Sequence, residues 1–150
     1  MSPPRRPLSV LIVEDSDSDA ELISEALATW KHPPAVTEVK DGEQAIRLLT
    51  GAAANLPDLI FLDLNLPKHD GMDVLRAIKT TPLLAAIPVI VLTTSERERD
   101  IRAAYGLHAN AYLTKPIEFD LFVERLQAVE TFWGLHARLP QSQTPSLSSV

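Results

Sequence analysis

The chain of 150 residues contains no cysteine, and only 5% of its residues are aromatic. The absence of cysteine excludes a disulfide framework and a thiolate metal site. Basic residues are outnumbered by acidic ones, 14 to 20, and the net charge of −6 argues against a surface built to neutralise nucleic-acid phosphates. The hydrophobic content of 45% is enough for one sizeable core, so we expect a single domain.

Long apolar runs are also missing. The first run, "VLIV" (10–13), is short and leads directly into Glu14 and Asp15. A signal peptide or a membrane span needs a longer apolar stretch, and neither is expected here. The sequence therefore predicts a cytoplasmic protein with no membrane partner and no nucleic-acid partner.

Short apolar runs rich in β-branched residues alternate with stretches whose apolar residues recur at helical spacing. This alternation is typical of an α/β protein with a parallel sheet. The second run is the most mixed and ends at the turn pair Asp41-Gly42, which favours a position near the sheet edge. The predicted strands cover residues 8–13, 35–39, 58–63, 88–93 and 111–114.

Apolar stripes at helical spacing predict a helix after each strand, which makes five β-α units. Ser18 with Glu21, and Ser95 with Glu98, have the spacing of capping boxes at helix starts. The third, fourth and fifth helices are expected over residues 70–79, 96–105 and 118–133. The first two helices are predicted from the stripes Ile23, Ala26, Leu27, Trp30 and Ala45, Leu48, Leu49.

Reactive side chains follow four of the predicted strands. In right-handed β-α units, all parallel strands end at the same edge of the sheet, where open α/β proteins bind their ligands. We therefore expect these side chains to meet at one rim. They are Glu14 and Asp15 after the first strand, Asp63 after the third, Thr93 and Thr94 at the end of the fourth, and Lys115 after the fifth.

Three carboxylates at one rim repel one another unless a cation is supplied. Oxygen ligands, with no histidine or cysteine at ligand spacing, favour Mg²⁺ over zinc or copper. Lys115 and the hydroxyl of Thr93 or Thr94 could hold the oxygens of a phosphoryl group, and Asp63 is then a candidate nucleophile that forms an aspartyl phosphate. Each residue alone has an ordinary explanation, in a turn or a helix start, but their combination at four strand ends favours a site.

At these residues the sequence resembles the receiver domains of two-component response regulators. The resemblance implies an α/β fold with a doubly wound (βα)5 arrangement and a parallel five-stranded sheet in the flavodoxin-like order 2-1-3-4-5. It also implies a receiver domain over residues 8–135, an N-terminal extension over 1–7 and a partly disordered tail over 136–150. The motifs are "VED" (13–15), "FLDLNLPKHDG" (61–71), "VLTTS" (91–95) and "AYLTKP" (111–116).

The resemblance implies that Asp63 accepts a phosphoryl group from a sensor histidine kinase. Asp15 and Asp63 would bind Mg²⁺ directly, the backbone carbonyl of Asn65 would complete the protein ligands, and Glu14 would act through a bound water. Many receivers carry aspartate where this chain has Glu14, and the longer side chain could shift the metal geometry. Such a protein is a signalling receiver rather than an enzyme, and its only expected reactions are its own phosphorylation and dephosphorylation.

The same resemblance assigns Thr93 as the switch hydroxyl, Tyr112 as the switch aromatic residue and Lys115 as the phosphate-binding amine. The signal would leave through helix 4, strand 5 and helix 5. Asn65 and Ser95, two residues beyond Asp63 and Thr93, would tune the phosphorylated lifetime. The resemblance also implies a cis peptide bond before Pro116.

Four segments are similar to the single-domain regulators partnered with bacterial phytochromes, which implies a phytochrome-type kinase as phosphodonor. The seventeen residues after Trp133 are too few for an output domain, so output by protein binding or phosphate relay is expected. The segments are "LDLNLPKHDG" (62–71), "VLTTS" (91–95), "YLTKP" (112–116) and "ETFWGLHARLP" (130–140).

The fifth predicted helix carries more apolar residues than one sheet can cover. Either the segment "GLHARLP" (134–140) folds back over them, or they form a homodimer interface through helix 4, strand 5 and helix 5. The dimer is the favoured interpretation. The two stripes are Phe119, Phe122, Leu126, Val129, Trp133 and Leu121, Ala128, Phe132.

Two other functions are consistent with an aspartate at a strand end. A Mg²⁺-dependent phosphatase of the haloacid-dehalogenase type also uses an aspartyl nucleophile, but that family needs a second aspartate where this chain has Asn65. A receiver-like binding scaffold that is never phosphorylated is the other alternative. The intact set of Asp63, Thr93 and Lys115 argues against it.

Overall fold

The computed structural model describes residues 7–51, 55–116 and 118–140. Five parallel strands form one sheet in the order β2-β1-β3-β4-β5, which confirms the predicted fold class and strand order. The strands are β1 (Ser9–Val13), β2 (Ala35–Val39), β3 (Leu59–Leu62), β4 (Val89–Thr93) and β5 (Ala111–Thr114).

Five α-helices connect or follow these strands and cover both faces of the sheet. Side chains alternate along each strand, so that Val10 and Ile12 pack with α1 and α5, whereas Leu11 and Val13 pack with α2, α3 and α4. The helices are α1 (Asp17–Ala28), α2 (Gly42–Thr50), α3 (Gly71–Thr80), α4 (Glu98–Gly106) and α5 (Phe119–Val129).

The central strands β1, β3 and β4 are the buried ones, because helices cover them on both faces. Every residue of β3 and β4 is buried, whereas four of the five residues of β2 are exposed, as expected of an edge strand. Within the described ranges, no helix is both long and apolar enough to cross a membrane.

Both predicted capping boxes are wrong. The residue that caps α1 is Ser16, whose side chain accepts a hydrogen bond from the Asp19 amide at 3.2 Å. Helix α4 begins after Arg97, which provides no side-chain cap, and Ser95 instead donates its hydroxyl to Asp100 at 2.5 Å. Several polar residues near each start compete for the same amides, so the spacing alone does not select the cap.

The prediction of a cis bond before Pro116 is also wrong, because the Lys115–Pro116 bond is trans in the structure. A trans bond before proline is favoured by about 0.5–1 kcal/mol, and this backbone places the Lys115 amine at the rim without a cis bond.

Helix α5 is shorter than predicted, but the chain continues from it into a π-helical segment, Glu130–His136. Trp133 and Leu139 are half-buried against the core on the α1/α5 side, so the described part of the C-terminal region folds back over the domain. Phe132 stays 56% exposed. The predicted extension and tail fall largely on residues 1–6 and 141–150, which lie outside the described residues.

Candidate functional site

The ends of β1 and β3 place two acidic side chains in a buried position. Glu14 directly follows β1 and its amide donates to the Val39 carbonyl at 3.0 Å; Asp63 directly follows β3 and its amide donates to the Val13 carbonyl at 3.1 Å. These bonds continue the ladders between parallel strands, so the sheet itself fixes both residues. Both are less than 10% exposed, although they are ionisable.

Three carboxylates meet at this rim, as the sequence predicts. One oxygen from each of Glu14, Asp15 and Asp63 lies within 4.8 Å of the other two. Asp15 is exposed, so the cluster opens to solvent on one side. Anionic oxygens at this spacing, with no nitrogen or sulfur ligand among them, suit a hard divalent cation.

The Lys115 amine lies against the same cluster and has three carboxylate partners. Its Nζ donates to Glu14 Oε1 at 2.6 Å, to Asp63 Oδ2 at 3.0 Å and to Asp19 Oδ2 at 3.0 Å. Its own amide donates to the Thr93 carbonyl at 2.7 Å, which fixes the loop after β5 to the end of β4. One ammonium therefore faces three carboxyl groups, and it cannot neutralise all of them if all three are ionised.

Burial and the neighbouring charges together set the pKa values of Glu14 and Asp63. Burial raises the pKa of the Glu14 carboxyl to about 9, and the Asp63 carboxylate adds to the rise while the Lys115 ammonium opposes it. Burial alone would raise the pKa of Asp63 as well, but the Glu14 carboxyl, the Asn65 amide and the Lys115 ammonium together hold it below its ordinary value. Asp63 is thus the anion of the pair.

The opposite holds for the lysine. Burial alone would lower the pKa of Lys115, but its hydrogen bond to Glu14 and the charge of Asp63 hold it above its ordinary value. The amine is therefore charged at neutral pH and can bind an anionic oxygen.

One further observation supports a cation at this rim. Among the described residues, Glu14 Oε2 is a buried side-chain oxygen without a hydrogen-bond partner. A buried polar atom without a partner is costly in a native structure and calls for a missing ion or water. A divalent cation, or a water that it holds, would supply that partner next to Asp15 and Asp63.

Asn65 and Thr93 flank the cluster. The Asn65 amide donates to Asp63 Oδ1 at 3.0 Å, which places the Asn65 backbone directly beside the Asp63 carboxylate. Thr93 is fully buried at the last position of β4, whereas Thr94 is exposed. Burial at the strand end therefore separates the two threonines, which periodicity cannot do.

Tyr112 and Ser95 form a second group beside α4 rather than joining the carboxylates. The Tyr112 hydroxyl donates to the Ser95 carbonyl at 2.9 Å, and burial raises the pKa of this phenol. The Ser95 amide approaches the Thr93 hydroxyl at 3.5 Å, so Thr93 lies between the rim and this group. A movement of Thr93 could thus reach the Tyr112 ring through Ser95.

Asp19, in the first turn of α1, is a site residue that the sequence did not reveal. Its contact with Lys115 joins residues 96 positions apart. An acidic residue in a first turn is common in any helix, so its presence carries no specific signal in the sequence.

Comparison with known proteins agrees with this geometry. The family model of the response regulator receiver domain matches residues 10–127. Among characterised proteins, the response regulator Rcp1 of Synechocystis sp. is 44% identical over 138 residues, which cover 89% of this chain and 94% of Rcp1.

Two solved structures are similar over nearly the same region. The phosphorylated cyanobacterial phytochrome response regulator RcpA superposes with a TM-score of 0.85 at 44% identity, over 90% of this chain and 99% of RcpA. The Mn²⁺-bound form of Rcp1 superposes with a TM-score of 0.82 at 42% identity, over 89% of this chain and 99% of that structure.

Proposed function

Because this chain belongs to the response regulator receiver family, we propose that Asp63 accepts a phosphoryl group from a sensor histidine kinase, with Mg²⁺ bound beside it. The observation that carries the proposal is the position of the Lys115 ammonium, 3.0 Å from Asp63 Oδ2, inside a cluster of three carboxylates. An anionic nucleophile, a fixed cationic side chain and a set of oxygen ligands are the parts that phosphoryl transfer needs.

In the transfer, an Asp63 carboxylate oxygen attacks the phosphorus and the bond between phosphorus and the kinase histidine nitrogen breaks. The Lys115 ammonium then donates to a phosphoryl oxygen, because it already lies within hydrogen-bond distance of Asp63. Asp15, Asp63 and the Asn65 carbonyl would hold a divalent cation, and Glu14 would act through a water. The cation would supply charge that offsets the repulsion between the phosphoryl group and the carboxylates.

The proposed output signal passes through Tyr112 and Ser95, the group beside α4. A phosphoryl oxygen would draw the Thr93 hydroxyl inward and favour a different position for the Tyr112 ring, which now donates to the Ser95 carbonyl. Such a change is a shift between two packings of the face formed by α4, β5 and α5. Asn65 and Ser95, next to the path of hydrolytic water, would tune the lifetime of the phosphorylated form.

A phytochrome-type kinase is the proposed phosphodonor. RcpA is a cyanobacterial phytochrome response regulator, and the similarity to it covers 90% of this chain. We also propose the cytoplasmic location that the sequence predicts. The kinase can be identified by incubating the chain with candidate autophosphorylated kinases and comparing the initial transfer rates.

The α4-β5-α5 face is also proposed to form a homodimer. Large apolar side chains on or after its helices are exposed: Tyr105 is 49% exposed on α4, Leu121 is 38% exposed on α5 and Phe132 is 56% exposed beyond α5. We expect Phe132→Ser to lower the sedimentation coefficient toward that of a monomer. Leu83→Ser, at a residue 69% exposed in the loop before β4, is the matched control. An unchanged mass in Phe132→Ser would remove the proposed interface.

Intact mass with a small acyl phosphate and Mg²⁺ tests the main proposal. The parent chain should gain one acid-stable, base-labile phosphoryl group that depends on Mg²⁺. Asp63→Asn should abolish it, whereas Asp73→Asn, which removes an exposed carboxylate on α3, should not. Failure of the parent to gain an adduct from any donor would leave a receiver-like binding scaffold.

A further inference from the structure

The three hydrogen bonds of the Lys115 ammonium divide into two kinds. Glu14 and Asp63 belong to the carboxylate cluster that suits a divalent cation, but Asp19 does not. Asp19 reaches Lys115 from α1, and its side chain is 38% exposed. An ammonium has three N–H groups, so Asp19 takes up the last of them.

On the basis of the proposed phosphoryl transfer, we propose that Asp19 is a positioning residue that holds the Lys115 ammonium at the rim during the reaction. Asp63 would hold a divalent cation directly and Glu14 would hold it through a water, so both groups would have a second partner besides Lys115. Asp19 has no such second task, because it lies outside the cluster. It is therefore the partner that keeps its bond to Lys115 while one N–H turns to the phosphoryl oxygen.

The surroundings of Lys115 explain why the amine needs such a partner. A cavity of about 70 Å³ lies beside it, and its walls are mainly apolar: Leu22, Pro116, Phe119 and Phe122 line it together with Asp19 and Lys115. A flexible lysine side chain next to open space has other positions available to it. The Asp19 carboxylate lies at the edge of this cavity and gives the amine a fixed partner there, at a position from which the amine also reaches Asp63.

Helix α1 makes Asp19 a rigid anchor. The Asp19 amide donates to the capping side chain of Ser16 at 3.2 Å, so the backbone of this first turn is fixed by its own cap. The carboxylate therefore starts from a defined point, only four residues after Asp15. Because misplacement of a reacting partner by about 1 Å can cost up to about a hundredfold in rate, loss of this anchor should be measurable.

Asp17 is a matched control for charge. It occupies the same first turn of α1, but its carboxylate is 81% exposed and pairs with Lys40 at 2.7 Å, away from Lys115. Asp17→Asn and Asp19→Asn remove the same charge from the same helix end. Any general effect of charge on the binding of Mg²⁺ or an anionic donor should therefore appear in both variants.

The experiment measures the phosphorylation rate of the full chain against the concentration of acetyl phosphate at saturating Mg²⁺. In Asp19→Asn the maximal rate should fall about tenfold, while the half-saturating donor concentration and the calorimetric Kd for Mg²⁺ stay within about twofold of the parent. Asp17→Asn should keep all three values, and Asp19→Glu should recover part of the rate. In a Lys115→Met background, Asp19→Asn should have no further effect.

A second readout is independent of phosphorylation. The Lys115 ammonium, held by three carboxyl groups, should give a slowly exchanging ¹⁵N NMR signal in the parent and in Asp17→Asn, and the signal should be lost in Asp19→Asn. A folded Asp19→Asn that keeps both the signal and the rate would overturn the positioning role. So would an Asp19→Asn effect that adds in full to Lys115→Met. Failure of the proposed function looks different, because the parent itself would then gain no phosphoryl group.

Discussion

At the residue scale, Gly71 shows how closely the backbone packs beneath the site. It opens α3, and a Cβ added to it would lie 2.5 Å from the Asp63 carbonyl oxygen and 2.5 Å from Leu64 Cα. Both neighbours are backbone atoms, which cannot turn away as a flexible side chain can. A larger residue would therefore have to displace the loop that carries Asp63.

We expect Gly71→Ala to lower the free energy of unfolding by about 1–3 kcal/mol, as overpacking in a core does, and to slow phosphorylation. Gly106→Ala is the matched control, because nothing lies within 4 Å of a Cβ at that helix end. Urea unfolding of both variants checks the prediction. Equal stability of the two variants would show that the loop has room after all.

The Tyr112 phenol gives a pH-dependent prediction. Burial raises its pKa above the ordinary value of 10.0, and the charges of Asp100 and Asp63 add to the rise. The folded chain therefore holds this proton more tightly than the unfolded chain. Its contribution to stability is complete below about pH 10 and is lost as the pH rises through the folded-state pKa.

We expect the free energy of unfolding of the parent to fall more steeply above pH 10 than that of Tyr112→Phe. Urea unfolding at several pH values measures the two slopes, and absorbance at alkaline pH identifies the phenol that ionises late. Lysines titrate in the same window in both proteins, so only the difference between the slopes counts. Identical slopes would mean that Tyr112 does not hold its proton more tightly in the folded state.

At the element scale, a buried acidic residue connects the segment after α5 with the loop after α1. Glu130, at the start of the π-helical segment, is buried and accepts from the backbone amides of Lys31 at 2.7 Å and His32 at 2.8 Å. Each carboxylate oxygen takes one amide. The segment after α5 is thereby tied to the loop after α1, next to the buried Trp30.

Glu130→Gln should cost about 1–3 kcal/mol of unfolding free energy, because its amide nitrogen cannot accept from a backbone N–H and one of the two part-buried bonds is lost. Glu124→Gln, at an exposed position of α5, should cost less than about 0.5 kcal/mol. Chemical denaturation compares them. If both variants lose the same amount, the tie through Glu130 contributes nothing of its own.

At the scale of the whole molecule, the carboxylate cluster joins the ends of β1 and β3, so cation binding should stabilise the complete domain. A ligand that binds only the folded state adds about 2.7 kcal/mol at a concentration one hundred times its Kd. The cluster exists only when the sheet is formed, since Asp63 lies 48 residues after Asp15 along the chain.

Mg²⁺ should therefore raise the Tm of the parent, and Asp15→Asn should reduce the rise by removing an exposed ligand. Asp17→Asn removes the same charge outside the cluster and should leave the rise unchanged. Scanning calorimetry over a Mg²⁺ series measures all three proteins. A rise in Asp15→Asn as large as that of the parent would argue against Asp15 as a ligand.

Much of the fold could be predicted because its signals are local. Alternating runs of apolar residues predicted all five strands, and the abrupt change from "LIFL" to Asp63 marked a strand end that opens into a site. Helix starts were less predictable. Near α1, Ser16 and Ser18 are equally suitable caps by residue type, and only the path of the chain after β1 selects Ser16.

The sequence by itself determined the parallel sheet and the residues that gather at its rim, because in β-α units every strand end lies at one edge. It also carried the family motifs. Only the tertiary structure decided that Asp19 completes the partners of Lys115, that Thr93 rather than Thr94 is buried, and that Glu130 ties the π-helical segment to the loop after α1. Those contacts join segments distant in sequence or depend on burial, so no local pattern can encode them.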